Sequence, residues 1–290
     1  KFSSQDKTVN RNFKMSEITL FHGKDEKTSV SVHTCGATVT SWKINGQEKI
    51  FVSTLAKRDG SKAIRGGIPL CFPQFGPWDS GRPQHGFARN SNDWVLKEKK
   101  VDTNGDATIV MVLTDNENTR KLWDFKFTFL YTVKLTLTEL TLNASVENRS
   151  DSDFDLTFCF HTYLKVPQIS GATVQGLNGL TYVDKTEGGQ LTIEENDVIK
   201  IEGFVDRVYQ DAPDVVVVQL HDKEKITLKK NNLCDYVVWN PWQQNCLKMA
   251  DMDDDGYLSM ICVEAAHASK RSIVKAGSTW NASHVLSSSQ

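Results

Sequence analysis

The chain has 290 residues, a formal net charge of −2 at pH 7 and a sequence pI of about 6.4. This balance argues against general nucleic-acid affinity, which requires a basic face. No apolar run approaches the roughly 20 residues that span a bilayer. With 39% hydrophobic residues, the composition predicts a globular protein with an ample core and without a nucleic-acid or membrane partner.

Residues 1–14 are polar, lack the apolar core of a signal peptide, and begin with lysine instead of methionine. We expect this segment to be disordered or left over from expression or processing, with Met15 as a native start. Residues 15–290 contain no linker rich in Pro, Gly or Ser. They are expected to form one domain, and we expect the protein to be a monomer.

The six cysteines form neither a Cys-x-x-Cys pair nor a dense framework. In a chain this long, such scatter is typical of reduced core thiols in a cytosolic protein. Asn-x-Ser sequons at Asn143, Asn148 and Asn281 are the one hint of secretion, and motifs this short arise often by chance. We therefore expect a cytoplasmic location.

From Ile18 onward the chain mostly alternates in period two and favours β-branched and aromatic residues. Asn45-Gly46 is a strong hairpin turn. The pattern predicts strands at 29–33, 38–44, 47–52, 94–99, 107–114, 125–137, 140–147, 155–163, 215–221, 225–229, 235–240 and 259–264, shorter ones near 182, 191 and 208, and a hairpin over 272–286. Fifteen or more strands with almost no helical periodicity predict an all-β domain, a broad sandwich of two large sheets.

Two neighbouring segments, 64–77 and 84–90, combine dense glycine and proline with many apolar residues. This density excludes a helix and most of a central strand, so we expect an ordered, partly buried loop. Arg65 and Arg89 have no acidic neighbours in sequence and suit a dianionic group such as phosphate. The alternative is a connection whose arginines are simply solvated. His85 either contacts a ligand as a donor or only bonds the loop backbone.

His161 lies in a predicted strand, on the face opposite Phe158 and Phe160 because side chains alternate along a strand. If the phenylalanines pack between the sheets, His161 points into whatever the other face encloses. A lone histidine in a strand is more often a satisfied structural residue, and that alternative stays open.

The same alternation places Glu264 opposite Ile261 and Val263 in the predicted strand at 259–264. Glutamate is depleted at such a position unless it is paired or functional. A carboxylate and an imidazole facing one cavity are the usual parts of a general base and a general acid. We therefore single out His161 and Glu264 as candidate catalytic residues.

The sequence contains no motif for several other kinds of catalysis or ligand binding. The chain lacks Gly-x-Ser-x-Gly, a Walker loop, a dinucleotide fingerprint and any sign of a thiol beside a histidine. Residues 251–256 copy the first half of a calcium loop, but its twelfth position is Cys262 instead of glutamate. We expect an acidic surface turn there, and no metal.

Four segments carry a family resemblance. They are Arg65-Gly66-Gly67-Ile68-Pro69 with Phe72-Pro73-Gln74-Phe75-Gly76, Gln84-His85-Gly86-Phe87-Ala88-Arg89-Asn90, Phe160-His161-Thr162-Tyr163, and Val237-Val238-Trp239-Asn240-Pro241-Trp242 leading to Ile261-Cys262-Val263-Glu264. In this order, over residues 20–287, they resemble the hexose-6-phosphate mutarotases, or glucose-6-phosphate 1-epimerases, of the aldose 1-epimerase (galactose mutarotase-like) superfamily.

The resemblance implies a β-supersandwich with the sugar in a cleft over one sheet, His161 as general acid and Glu264 as general base. It further implies that the sugar phosphate is the partner and that no cofactor is needed. Independently of the resemblance, Trp239 and Trp78 are candidates for stacking on an apolar sugar face, although core packing is the commoner fate of a tryptophan. The remaining substrate contacts implied by the resemblance are Arg65, Gln84, Arg89 and Asp206, with His85 nearby.

One departure from the family pattern concerns the base. Family members usually read Glu-Pro-Gly, whereas here Glu264 is followed by Ala265-Ala266-His267, so the turn that aims the carboxylate is expected to differ. Two alternatives to a hexose-6-phosphate mutarotase therefore stay open. One is a non-catalytic module that binds or senses sugar phosphates, and the other is a mutarotase for free aldohexoses.

Overall fold

The computed structural model describes residues 16–78, 82–221 and 223–289. The expectations for residues 1–14 and for Met15 as a start thus lie outside the described residues. Among the described residues no helix is long and apolar enough to cross a membrane.

Strands dominate the described chain, which contains 21 of them, two short α-helices and several 3₁₀ turns. The helices are α1 (Glu117–Leu122) and α2 (Trp242–Cys246). The strands, in chain order, are β1 (Glu17–His22), β2 (Asp25–His33), β3 (Thr38–Ile44), β4 (Gln47–Glu48), β5 (Leu70–Cys71), β6 (Val95–Val101), β7 (Ala107–Thr114), β8 (Phe127–Leu135), β9 (Glu139–Asn148), β10 (Phe154–Phe160), β11 (Tyr163–Lys165), β12 (Thr173–Gln175), β13 (Thr181–Asp184), β14 (Gln190–Ile193), β15 (Val198–Lys200), β16 (Val205–Tyr209), β17 (Val215–His221), β18 (Glu224–Asn231), β19 (Asp235–Asn240), β20 (Met260–Val274) and β21 (Thr279–Ser289).

The strands form three antiparallel sheets, and this confirms the predicted all-β class. A nine-stranded sheet has the order β15-β12-β17-β18-β21-β9-β8-β7-β6. An eight-stranded sheet runs β14-β13-β16-β19-β20-β10-β5, with β11 paired to β20. The first four strands make a smaller sheet, so the expected sandwich of two large sheets is extended by a third.

Alternation of buried and exposed side chains explains how the sheets pack. Along β8 every second residue is buried, from Phe127 to Leu135, and β9 repeats the pattern. Residues of all three sheets, among them Trp42, Tyr131 and Phe160, share one hydrophobic cluster. Such a continuous core is what one domain over 15–290 requires, and the single domain stays a prediction.

Three predicted segments differ from the structure. The strand expected at 155–163 ends at Phe160, and β11 begins only at Tyr163, so His161 lies just outside a strand. The strand expected at 259–264 and the first strand of the hairpin over 272–286 are a single 15-residue strand, β20. The strand expected at 47–52 is only β4, followed by isolated bridges at Ile50 and Val52. The apolar alternation is interrupted there by Lys49, which is buried and paired with Glu224.

Candidate active site

The centre of the eight-stranded sheet presents polar side chains on the face away from the main core. Glu264 on β20 pairs with Val237 on β19, and Trp239 pairs with both Cys262 and Asp206. Directly opposite residues in adjacent strands share a face of the sheet. The pairing therefore brings Asp206, Trp239 and Glu264 together from three strands.

His161 joins this group because it directly follows β10, the other neighbour of β20. Phe158 and Phe160 lie in the main core cluster, whereas Cys159 lies in a separate cluster on the other face. The predicted alternation in this strand is confirmed. His161 and Glu264 are 8% and 1% exposed, so both are almost fully withdrawn from water.

The imidazole and the carboxylate are in contact. His161 Nδ1 lies 3.2 Å from Glu264 Oε1, and the thiol of Cys159 donates to Glu264 Oε2 at 2.9 Å. On the other side, Cys262 Sγ lies 3.8 Å from His161 Nδ1. Both oxygens of the carboxylate therefore have a partner, and one histidine nitrogen is shared between a carboxylate and a thiol.

Burial shifts the two candidate catalytic groups in opposite directions. It raises the pKa of Glu264 well above the ordinary carboxyl value, and it lowers the pKa of His161 well below the ordinary imidazole value, where nearby cationic residues add to the effect. Over the pH range between the two values the pair carries one proton. Because the groups interact, the two titrations belong to the pair instead of to either residue.

Aromatic rings fix the orientation of His161. Tyr163 stacks on it with ring centroids 4.8 Å apart and planes 10° from parallel. Trp239 meets His161 edge-on at 6.0 Å, and His85 does so at 5.7 Å. Tyr163 was missed as a site residue, although its spacing of two from His161 already places it on the same side of an extended segment.

The glycine- and proline-rich segments form the wall beside the pair. Phe87 N–H donates to Phe72 O at 3.0 Å, and a Cβ on Gly86 would lie 2.1 Å from that oxygen. Only glycine permits so close an approach, and Gly86 also has a φ of +71°. The two segments are therefore held together as one ordered, largely buried loop, as predicted.

His85 bonds the loop backbone and also lines the cavity, so its contact with a ligand stays a prediction. The ring Nδ1 of His85 accepts a hydrogen bond from Gly76 N–H at 3.0 Å, and the backbone N–H of His85 donates to Gly76 O at 2.8 Å. A ring nitrogen that accepts from an N–H carries no proton, so the neutral ring holds its proton on Nε2. His85 is thus fixed by the loop backbone, and its Nε2 lies 3.4 Å from the side-chain amide nitrogen of Gln84.

The two loop arginines differ in their partners. Arg89 donates from Nη2 to the carbonyl oxygen of Gln84 at 2.9 Å, and no carboxylate pairs with it within 16–78, 82–221 and 223–289. Arg65 does have an acidic partner, Asp251, with 3.3 Å between Nε and Oδ1. The expectation that neither arginine faces an acid is wrong for Arg65, because its partner is distant in sequence.

The contact with Arg65 also shows that the prediction of an acidic surface turn at 251–256 is wrong for Asp251. Asp254 and Asp255 are exposed, but Asp251 is only 2% exposed and also pairs with Lys62 at 2.9 Å. Burial alone would raise the pKa of Asp251, yet the hydrogen bond from Lys62 and the charge of Arg65 outweigh it and lower that pKa. Asp251 is a buried counter-charge beside the loop.

The pairing of thiols with histidines was also missed. Cys262 approaches His161, and Cys234 Sγ lies 3.3 Å from His267 Nδ1. The partners come from different strands, so their spacing in sequence carries no signal. Five of the six cysteines are buried, as predicted for core thiols, while Cys234 is partly exposed.

All eight residues singled out from the sequence line one cavity of about 310 Å³, a volume at the lower end of the range for small-molecule sites. Lys185 also lines it, 3.5 Å from Asp206, where burial raises the pKa of that carboxyl. Lys185 was missed because it lies in a turn with no motif. The eight residues are Arg65, Gln84, His85, Arg89, His161, Asp206, Trp239 and Glu264.

A second cavity of about 230 Å³ adjoins the first. The two share Arg65, Gln84, Arg89 and Tyr163, and the second adds Lys62 and Asp251. The catalytic candidates therefore lie in one cavity, and the guanidinium groups lie at its border with the other. The arrangement can exchange protons with a ligand at one end and hold an anionic group at the other.

Comparisons with known proteins place the chain in a family. The family described as Aldose 1-epimerase matches residues 17–287. A protein of Cenchrus ciliaris named "Putative glucose-6-phosphate 1-epimerase" is 37% identical over 265 residues, which cover 88% of this chain and 80% of the relative. An Escherichia coli protein of the same name is 33% identical over 260 residues, covering 89% and 86%.

The fold is likewise matched by a solved structure. The crystal structure of a "putative mutarotase" from Salmonella typhimurium superposes with a TM-score of 0.87 at 28% identity, covering 95% of this chain and 91% of that one. This chain belongs to the aldose 1-epimerase family, whose members are carbohydrate isomerases that interconvert sugar anomers. Its β-supersandwich is the galactose mutarotase-like fold.

Proposed function

We propose that this protein interconverts the α and β anomers of hexose 6-phosphates, chiefly glucose 6-phosphate. The observation that carries the proposal is the contact between His161 and Glu264 in a cavity bordered by Arg65 and Arg89. The names of the relatives from Cenchrus ciliaris and Escherichia coli support the same substrate.

The reaction requires one proton to leave the C1 hydroxyl and one to reach the ring oxygen. Glu264, when ionised, takes the first, and His161, when protonated, supplies the second. The ring then opens to the free aldehyde, rotation about C1–C2 presents the other carbonyl face, and reclosure with reversed proton transfers gives the other anomer. One proton on the pair suffices, since the acid and the base exchange it with the substrate.

The mechanism requires the shared proton to move from Glu264 to His161. The pKa shifts favour a protonated Glu264 beside a neutral His161, whereas turnover needs the opposite arrangement. A transfer across the 3.2 Å contact interconverts the two without gain or loss of a proton. A bound phosphate dianion lowers the positive potential of the arginines, which favours the protonated imidazole.

The phosphate is remote from the reacting carbon, so its partners hold the substrate instead of acting on C1. Arg65 and Arg89 offer planar N–H donors at the border of the two cavities, and Gln84 and His85 offer neutral ones. Trp239 and Tyr163 supply flat apolar surface beside the pair. We assign the phosphate to the arginines and the pyranose ring to the larger cavity.

The direct test is anomer exchange measured by NMR magnetisation transfer, with glucose 6-phosphate and galactose as substrates. Glu264→Gln is expected to lower exchange of glucose 6-phosphate by about 10²–10⁴-fold, the range for one general acid–base group. Glu147→Gln, an exposed glutamate on β9, is the matched control and should exchange at the wild-type rate. Wild-type protein that binds glucose 6-phosphate without accelerating exchange would instead identify a sensing module.

The arginines separate the phosphorylated substrate from free sugars. Arg65→Ala and Arg89→Ala should each raise KM for glucose 6-phosphate by at least tenfold, since each removes a charged hydrogen bond. Exchange of free galactose should change little, and the exposed Arg271→Ala serves as the control. An equal loss for both sugars would contradict the phosphate assignment.

A further inference from the structure

The two catalytic candidates form a cluster of possible metal ligands with Cys262. His161 Nδ1, Cys262 Sγ and the carboxylate of Glu264 all lie within 4.8 Å of one another, and all three residues are buried. Nitrogen, thiolate and carboxylate are the ligand types that Zn²⁺ takes in proteins. No step of the anomer interconversion uses the thiol.

Two of the three separations between the ligand atoms are close to those around a tetrahedral ion. Zn–N, Zn–O and Zn–S bonds of ordinary length, at tetrahedral angles, separate N from O by about 3.4 Å and N from S by about 3.6 Å. The observed separations are 3.2 Å for His161 Nδ1 to Glu264 Oε1 and 3.8 Å for His161 Nδ1 to Cys262 Sγ. The third separation, between Cys262 Sγ and the Glu264 carboxylate, lies within 4.8 Å, whereas a tetrahedral ion needs about 3.5 Å. Binding of the ion therefore draws the thiol and the carboxylate towards each other.

The surroundings give the ion a way in and leave a coordination position open. His161 and Glu264 line the cavity, while Cys262 is fully buried on the same face of the sheet, under Trp239 and Tyr163. Three protein ligands leave the fourth position of a tetrahedral ion to water or to a ligand in the cavity. A thiolate and a carboxylate together neutralise the two positive charges of the ion, as a buried site requires.

We propose that a divalent cation of the zinc class binds at His161, Cys262 and Glu264 and inhibits the enzyme by occupying its acid–base pair. The ion replaces the protons of the thiol and of the histidine–glutamate pair. Metal and sugar phosphate therefore compete for the same cavity. The effect on turnover rests on the proposed function, but binding of the ion does not.

The other thiol–imidazole contact provides an internal comparison. Cys234 and His267 are 3.3 Å apart, but the neighbouring carboxylate of Asp235 is occupied by the N–H groups of Ala268 and Ser269 and by the Ser269 hydroxyl. That site therefore offers a cation only two ligand atoms, from Cys234 and His267, instead of three. Removing Cys234 should therefore leave cation binding at the proposed site unchanged.

Co²⁺ reports on the site directly, because a thiolate bound to Co²⁺ gives a charge-transfer absorption in the near ultraviolet and tetrahedral Co²⁺ gives intense visible bands. Full-length protein titrated with CoCl₂ without sugar should show both bands at one equivalent. Cys262→Ala should lose the thiolate band and Cys234→Ala should keep it. Absence of the band in wild type, its survival in Cys262→Ala or its loss in Cys234→Ala would each overturn the proposal.

Two further measurements keep the test decisive if Cys262→Ala does not fold. Glu264→Gln, which keeps the shape of the side chain, should weaken Co²⁺ binding at least tenfold. In the exchange assay, Zn²⁺ should inhibit wild type, with reversal by EDTA and relief by added glucose 6-phosphate. A Co²⁺ spectrum without any mutarotase turnover would refute the proposed function alone, whereas turnover insensitive to Zn²⁺ would refute only the metal site.

Discussion

The thiol of Cys159 donates a hydrogen bond of 2.9 Å to Oε2 of Glu264, inside the sheet and out of contact with water. Burial raises the pKa of Cys159 well above the ordinary thiol value, and the neighbouring thiol of Cys71 and the charge of Glu264 add to this. Cys159 thus stays protonated, and in the proposed mechanism it acts as a positioning residue. Its hydrogen bond favours the ionised form of the carboxylate that the mechanism needs.

Cys159→Ala should lower the maximal exchange rate of glucose 6-phosphate about tenfold, because the buried carboxylate loses a hydrogen bond and its pKa rises further. The basic limb of the pH profile, where the pair loses its last proton, should move to higher pH. Cys159→Ser restores a donor and should restore both the rate and the limb. Cys246→Ala, another buried thiol, is the control, and an unshifted basic limb in Cys159→Ala would rule out the positioning role.

Asp251 should affect substrate binding more than turnover. Its carboxylate fixes the Arg65 guanidinium through Nε, while Tyr163 Oη lies 3.4 Å from Nη1. Asp251→Ala leaves Arg65 free to rotate, so KM for glucose 6-phosphate should rise about tenfold with kcat within about twofold. The exposed Asp254→Ala lies in the same turn and should be silent. A fall in kcat at constant KM would show that Asp251 does not act through Arg65.

Local periodicity predicted much of this fold. Strands β7, β17 and β19 begin and end at the predicted residues, because each packs one face against a core and alternates accordingly. The facing of His161 and Glu264 followed from the same rule. That one cavity would collect all eight candidates came from the family resemblance instead of from periodicity.

Apart from the stacking of Tyr163 on His161, the contacts that sequence reasoning missed are non-local. Asp251 meets Arg65 across 186 positions, and Glu264 meets Cys159 across 105. These contacts depend on the order of strands in the sheet, which alternation does not encode. Lys185 enters the cavity because β13, just before it, pairs with β16, the strand of Asp206. Asp251 and Lys185 became visible only once the sheet was assembled.

Asp235 should be a major contributor to stability near the site. Its buried carboxylate accepts hydrogen bonds from Ala268 N–H at 2.8 Å, Ser269 N–H at 2.7 Å and the Ser269 hydroxyl at 2.8 Å. Asp235→Ala leaves these donors without a partner and should lower the free energy of unfolding by about 3 kcal/mol, measured by urea denaturation. Asp155→Ala breaks only an exposed pair with Arg271 and should cost less than about 1 kcal/mol. Equal effects would contradict the assigned role.

Glu264 should reduce stability as pH rises, because folding buries its carboxyl group. Its pKa is raised by folding, so above the ordinary carboxyl value of 4.5 the unfolded chain binds fewer protons than the folded one. Stability therefore falls from about that pH upward until the folded pKa is reached, by at most about 1.4 kcal/mol per pH unit. Glu264→Gln, a neutral mimic of the protonated side chain, removes this pH-dependent loss of stability.

The measurement is the difference in free energy of unfolding between Glu264→Gln and wild type from pH 5 to pH 8. The lowered pKa of His161 acts in the opposite sense, costing stability as pH falls below about 6.5, so the trend is read between pH 6.5 and pH 8. The gap should widen in favour of the glutamine variant as pH rises, while the exposed Glu147→Gln shows no such trend. A gap that stays flat, or a variant less stable than wild type at pH 8, would mean that burial does not hold Glu264 protonated. In that case the shared proton would rest on His161 before substrate binds.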